Sequence, residues 1–418
     1  MPDVTSVTTM VLHSIVSELK TRGIIVHITW FIYSPDKLDS LLTSDSDSFI
    51  SSIHDYNNAF EVLKKEKPDI IYATTGWGFI DYAFSLAGKF LNIPVVSHVT
   101  TGFNFKTNRL TLIKSYITRF FESSIPTDTG QNKKQFMRRG RFFVYKYLFL
   151  VRTQRAMKWS ILQIFKNFFI LLKLFLSSTR IFFDSRFGGT LHFLDNENLL
   201  NDYLDGGFER SQFVITGNPI YDEFFHKLSI KKDYVKGNKI RILFAPTPKY
   251  EHGFWTRTQR DTTITQIVKT IFENKQEMSL VVKIHPSYSV LSEYQSLINS
   301  IDPSIPVYKN GNIQEFVENA DVVLSFQFTT ADVYSILAKK PIILCNFFNY
   351  EKDPFVQRGL ALECNDSADL INTIHNALST NPKYEQQREL FIREFLYKSD
   401  GRATERICDE IMKLLDKN

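Results

Sequence analysis

Short apolar runs of strand length recur along this chain between segments whose apolar residues fall at helical spacing, and that alternation admits few folds. Each parallel strand needs a crossover to reach the next, so the rhythm argues a parallel sheet with helices on its faces. In the first half, Val11, Leu12, Ile15, Val16 and Leu19 form a helical stripe that stops at Gly23, and Ile24 to Tyr33 reads as a strand. A helix ends over Phe60 to Lys65, Ile70 to Ala73 is a short buried strand, and the loop Thr74 to Gly78 leads into a helix over Phe79 to Leu91 and a strand over Val95 to Val99. The second half repeats the pattern, with strands over Lys239 to Ala245, Leu280 to Ile284, Ile305 to Tyr308, Asp321 to Phe326 and Pro341 to Leu344. Helices are expected over Thr262 to Asn274, Tyr288 to Ser300 and Thr330 to Leu337, and again from Ser367 to the end.

At 418 residues the chain exceeds one ordinary core. Two α/β domains are expected, residues 1–225 and 226–418, joined in the polar stretch from Asn218 to Lys239. A doubly wound domain would open with a strand and a glycine-bearing turn, yet a helix comes almost at once. MPDVTSVTT stands where that turn would be, so either the first strand is missing or the fold differs here.

The three cysteines, Cys345, Cys364 and Cys408, lie far apart and form neither a disulfide framework nor a zinc motif. The N-terminus lacks the features of a secretory signal, and a cytoplasmic protein is expected. The net charge of +5 is uneven, because residues 129–183 hold twelve Lys or Arg and no Asp or Glu, leaving 38 basic against 45 acidic residues elsewhere.

That basic stretch is also rich in Phe, Leu and Ile, and residues 132–183 are read as a helical insertion. Arg138, Arg152, Lys166, Lys173 and Arg180 are separated by multiples of seven, so one continuous helix would gather them near one face. The apolar run from Ile161 to Leu176 is too short and too punctuated to span a bilayer. A helix lying in the interface, basic groups on anionic headgroups and aromatics in the acyl boundary, fits the pattern. Long helices packed on the protein with a basic solvated side remain the alternative. No RNA-binding motif accompanies the basic residues, and no nucleic-acid partner is expected.

In doubly wound sheets ligands sit beyond the carboxyl ends of the strands. Four such positions are polar or small in the second half: APTPK (Ala245 to Lys249), KIHPS (Lys283 to Ser287), SFQFTT (Ser325 to Thr330) and AKKPIIL (Ala338 to Leu344). A phosphate site is expected here, with Thr247, Lys249, Lys283, His285, Ser287, Ser325, Gln327, Thr329 and Thr330 as its candidates. Thr329 and Thr330 at a helix start offer hydroxyls and free N–H groups to an anion. An ordinary N-cap and a structural histidine are the competing readings.

ILFAPT, KIHP, the Thr329-Thr330 pair and the downstream KKP resemble the C-terminal domain of CDP-glycerol glycerophosphotransferases and related capsule glycosyltransferases. KPDIIYATTG, IPVVSHVTTG and VITGNPIYD resemble the non-hydrolysing UDP-N-acetylglucosamine 2-epimerases. Both families imply the GT-B architecture of two facing Rossmann-like domains, and the first makes His285 and Thr329-Thr330 donor phosphate contacts. The epimerase pattern expects an acidic residue at Thr100 and an aspartate within Thr74 to Gly78. Proton abstraction at a sugar carbon needs such groups, so group transfer becomes the leading reading.

The expected enzyme is a metal-independent glycosyltransferase without a cofactor. It takes a UDP- or CMP/CDP-linked nucleotide sugar, or a glycerophosphate donor, as substrate. A lipid-linked or surface-glycan acceptor would meet it on the inner face of the cell membrane. Asp81 and His98 are the candidate catalytic bases, each with a structural alternative. An epimerase-like enzyme, an inactive nucleotide-sugar-binding GT-B protein and a homodimer stay open.

Overall fold

The computed structural model describes residues 7–30, 49–73, 79–99, 131–177, 185, 188–229, 238–286, 289–379 and 382–416. These divide into two compact units: one holds the described residues up to Phe225 and those from Glu394 onward, the other runs from His226 to Arg393.

In the first unit α1 (Val7–Thr21) precedes a parallel pair, β1 (His27–Trp30) and β2 (Phe49–Ser52). There follow α2 (Ala59–Glu66), β3 (Ile71–Ala73), α3 (Phe79–Leu91), β4 (Val95–Val99), α4 (Gln131–Ala156), α5 (Ile161–Ser177), β5 (Leu191–Leu194), α6 (Glu197–Asp205) and β6 (Phe213–Ile215). The sheet runs β3-β4-β5-β6, all parallel. β4 and β5 approach so closely at one end that a Cβ on Gly189 would lie 2.4 Å from the Val95 carbonyl oxygen. Thr190 clasps the same residue, its N–H donating to Val95 O at 2.6 Å and its hydroxyl accepting from Val95 N at 3.0 Å.

The insertion is not one helix. Lys158 takes a left-handed φ of 64° and the Trp159 N–H turns back to Gln154 O, so α4 ends and α5 sets off anew. The heptad spacing of basic residues therefore does not run along a continuous face. Lys166 and Lys173 share an exposed side of α5, whereas Arg152 belongs to α4. Both helices are tied into the core: Phe149, Leu150 and Leu171 pack with Leu63, Tyr82 and Ala83 of α2 and α3. Thr153 Oγ1 accepts from Ala59 N at 3.0 Å, and the Tyr82 hydroxyl donates to Asn167 Oδ1 at 3.1 Å.

The boundary falls within α7 (Asp222–Ser229). The second unit contains β7 (Ile240–Phe244), α8 (Arg257–Glu273), β8 (Met278–Lys283), α9 (Leu291–Asn299), β9 (Val307–Tyr308), α10 (Ile313–Glu318), β10 (Val322–Ser325), α11 (Thr330–Leu337), β11 (Ile342–Cys345), α12 (Pro354–Gln357), β12 (Leu362–Cys364) and α13 (Leu370–Ala377). Its sheet runs β12-β11-β10-β7-β8-β9, every pair parallel. This is the order of a dinucleotide-binding sheet, in which the winding reverses between the first and fourth strands, here β7 and β10. β10 and β11 are buried throughout, as continuous apolar strands covered on both faces must be.

The last helices depart from the expected division at residue 226. After α14 (Pro382–Phe395), α15 (Ala403–Leu415) belongs to the first unit. Asp222 caps α15 by accepting from Ala403 N at 3.0 Å and Thr404 N at 2.7 Å, and Arg22, just after α1, meets Asp409 at 2.6 Å. An amphipathic stripe shows that a helix buries one side, not which surface receives it.

Gly189→Ala forces backbone against backbone between β4 and β5. The expected loss is about 1–3 kcal/mol in urea unfolding of the intact chain; an unchanged midpoint would show that the two strands can part at little cost.

Candidate active site

The reversal between β7 and β10 brings together two of the strand ends singled out by sequence. After β7, Thr247 donates its hydroxyl to Gln327 O, 3.0 Å away in the loop after β10. Ser325, at the end of β10, donates to the same carbonyl at 3.3 Å and lies 3.2 Å from Asp332 Oδ2. Asp332 is the residue that sequence reading missed. It sits buried on the first turn of α11 and accepts from both the N–H and the hydroxyl of Thr329, at 2.7 and 2.9 Å. Burial raises its carboxyl pKa to about 7, against the opposing pull of its hydrogen bonds from Thr329 and Ser325. The Thr-x-x-Asp spacing is a capping signature and was present in the sequence.

Thr329 is therefore the cap, its hydroxyl spent on Asp332. Thr330 is exposed at the first position of α11, where backbone N–H groups have no intrahelical acceptor. Of the pair, Thr330 and these amides are what an anion would meet.

Lys249 stands on the same side. Its ammonium lies 5.2 Å from the Trp255 ring centre and 5.4 Å from that of Tyr350. Among the described residues no acceptor takes a hydrogen bond from Lys249 Nζ. Desolvation lowers its pKa to about 8, opposed by the charge of Asp353. Asp353 joins this lysine to the α11 turn, because its Oδ2 also accepts from the Phe328 N–H at 3.3 Å. Asp353 too went unread in the sequence.

Lys283 and His285 belong to the β8 side. Lys283 is buried and donates to Ile284 O at 3.1 Å and Lys309 O at 2.8 Å, so it stitches β8 to the end of β9. Desolvation lowers its pKa to about 8. His285 is pushed down to about 4, first by burial and then by the charges of His252, Lys283 and Lys309. The described contacts thus join Thr247, Ser325, Gln327, Thr329 and Asp332 in one cluster, and His285 feels the charge of His252 in the loop after β7. Ser287 lies outside the described residues.

In the first unit Asp81, on the first turn of α3, interacts electrostatically with Lys146 of α4. His98 of β4 is buried, and its Nε2 lies 2.9 Å from Asp195 Oδ1, just beyond β5. Asp195 Oδ2 accepts from Asn218 Nδ2 at 2.9 Å, just beyond β6. The two proposed bases therefore have separate partners. Thr74 to Gly78, Thr100 and Arg180 lie outside the described residues, as does the side chain of Arg138.

Residues 207–413 match the family model of CDP-glycerol:poly(glycerophosphate) glycerophosphotransferase. The match agrees with the resemblance carried by ILFAPT, KIHP and the threonine pair. A teichoic acid poly(ribitol-phosphate) polymerase of Bacillus spizizenii is 25% identical over 235 residues, which cover 52% of this chain and 36% of that protein. The chain thus spans little more than a third of that relative. The UDP-N-acetylglucosamine 2-epimerase of Neisseria meningitidis, bound to its nucleotide sugar, superposes with a TM-score of 0.53 at 15% identity, covering 98% of each chain. CalG4, the calicheamicin glycosyltransferase, gives 0.51 at 13% identity over 96% of this chain and 94% of that one. The chain has the GT-B fold. The glycerophosphotransferase match spans the whole six-stranded unit, and the carboxyl ends of its β7 and β10 are the candidate site.

The depressed His285 pKa has a consequence for stability. An unfolded chain takes up this proton near the ordinary 6.5, the folded chain only near 4, so stability falls as pH drops from about 6.5 toward about 4. His285→Gln is expected to flatten that fall in thermal midpoint, and a slope identical to the parent's would show that the ring is protonated in the fold.

Proposed function

We propose that this chain is a GT-B transferase that moves a polyol-phosphate or glycosyl group from a nucleotide-activated donor to a growing cell-envelope polymer at the membrane surface. The observation that carries the reading is that Lys249, after β7, and the turn leading into α11, after β10, share Asp353 as a neighbour at the sheet reversal, within the segment matching the glycerophosphotransferase model. A cation and a helix N-terminus together stabilise the negative charge that develops on a departing nucleotide phosphate. The match to a CDP-glycerol glycerophosphotransferase family favours a CDP-linked polyol phosphate over a nucleotide sugar. In that case an acceptor hydroxyl attacks the distal phosphorus and the pyrophosphate bond breaks. CMP then departs with the bonding electrons.

The exposed side of the insertion supports the membrane part of the reading. No helix among the described residues is long and apolar enough to cross a bilayer. Yet Leu162, Phe165 and Phe169 of α5 are 79, 57 and 60% exposed, beside exposed Lys166 and Lys173. A merely solvated face would not carry so much apolar surface. Aromatics in the acyl boundary under lysines on anionic headgroups account for both features.

Thermal titration of the intact chain tests the donor. CDP-glycerol or CMP is expected to raise the midpoint, UDP-N-acetylglucosamine to raise it less, and no response to any nucleotide would end the transferase reading. Lys249→Ala should weaken nucleotide binding about 10- to 100-fold, as loss of a charge-assisted contact does. With Lys249 intact, affinity should fall as pH rises through about 8, where the free ammonium loses its proton. For the membrane, flotation with phosphatidylglycerol vesicles should recover the parent but not Leu162→Ser/Phe165→Ser/Phe169→Ser. These substitutions spare the buried Ile164, Asn167 and Leu171, and equal recovery would remove the membrane from the proposal.

A further inference from the structure

At the end of β10 the hydrogen bonds of Ser325 and Asp332 compete for a proton. The Ser325 hydroxyl has one to give and three acceptors in reach, Gln327 O at 3.3 Å and Asp332 Oδ1 and Oδ2 at 3.3 and 3.2 Å. The two carboxyl oxygens are not equivalent. Oδ2 accepts from the N–H and the hydroxyl of Thr329, whereas among the described residues Ser325 Oγ is what Oδ1 meets. An ionised Asp332 draws the Ser325 proton and leaves Gln327 O to the Thr247 hydroxyl. A proton on Oδ1 removes the conflict: Oδ1 donates to Ser325 Oγ, Ser325 donates to Gln327 O, and Oδ2 keeps both bonds from Thr329. The surroundings favour that neutral form. Asp332 is fully buried, its hydrogen-bond partners are uncharged, and the titratable groups that bear on it are Asp353 ahead of α12 and Tyr384 of α14. Lys249 acts on Asp353 in turn.

A negative charge on Asp332 lies on the first turn of α11, the turn that meets the donor phosphate in the transferase reading above, on which the inference rests. Like charges so placed drive one of the two groups to take up a proton, and a phosphate diester is too strong an acid to be that one. We infer that Asp332 is a positioning residue that couples donor binding to a proton: its carboxyl is neutral whenever a nucleotide phosphate occupies the α11 turn, and its Oδ1–H then sets Ser325 on Gln327 O, beside Thr247. The proton enters from solvent as the donor binds and returns as the nucleotide leaves. In the free chain burial holds this carboxyl at about 7, and the bound anion raises it further. Above that pH the bound form therefore keeps a proton that the free form has lost, so affinity is full below about 7 and falls as pH rises through it. Lys249 acts in the same direction, but around about 8.

The test follows the proton in the intact chain with CDP-glycerol, whose diphosphate diester does not titrate in this range. Calorimetric titration at about pH 7 in buffers of different ionisation enthalpy should show the parent taking up about half a proton per nucleotide. Asp332→Asn, whose amide can donate to Ser325 Oγ as the acid does, should take up about a tenth or less. Lys249 is largely protonated at that pH and contributes little to either value. From about pH 6 to about pH 8 the parent's Kd should rise about tenfold and the variant's about twofold, the part left to Lys249. A merely structural carboxylate would move the melting temperature on substitution and leave the proton uptake of parent and variant alike. No uptake by the parent, or equal uptake in both, overturns the assignment. Infrared spectra of the nucleotide-free parent add a measurement that needs no variant: a protonated-carboxyl band, shifted by ¹³C-aspartate labelling, should be present at about pH 6 and lost by about pH 8. Its absence overturns the assignment as well. If no nucleotide binds at all, the transferase reading falls instead, and the infrared band still decides where the proton sits.

Discussion

A parallel sheet covered on both faces spends its backbone hydrogen bonds internally and leaves polar chemistry one outlet, the loops beyond the carboxyl ends of its strands. In the six-stranded unit that outlet is sharpened by the reversal of winding between β7 and β10, where consecutive crossovers leave in opposite directions. Thr247, Lys249 and the start of α11 are placed there by topology before any side-chain contact is considered. His285 stands one strand further along, just beyond β8, and the charges it feels are those of His252, Lys283 and Lys309.

Carboxylates organise these loops. Asp332 gathers the N–H and hydroxyl of Thr329 with the hydroxyl of Ser325, Asp222 caps α15, Asp353 takes the Phe328 and Phe355 N–H groups, and Asp195 holds His98 and Asn218. Several converging donors offset the cost of taking such a group out of water. The result is a set of loops whose geometry is held by acidic residues.

The insertion shows the same economy on a larger scale. One stripe of α5, Ile164, Asn167 and Leu171, is buried against the unit, and the opposite side keeps Leu162, Phe165 and Phe169 in the open. The break at Lys158 separates the two helices and so sets which residues share that exposed side.

The amino-acid sequence by itself determined the α/β class, the long strands of the second unit and the strand ends that bear its chemistry. Apolar runs such as Ile242 to Phe244 and Val322 to Leu324 have no soluble use except burial in such a sheet. The shorter strands β5, β6 and β12 escaped notice, because three or four residues carry no readable period and β5 includes a histidine. Tertiary structure alone decided that α15 returns to the first unit, that Lys249 lies beside the Tyr350 ring, and that His98 meets Asp195. Each of these depends on residues distant in the chain, 97 positions apart for His98 and Asp195, and local pattern holds no information on where a side chain finds its partner.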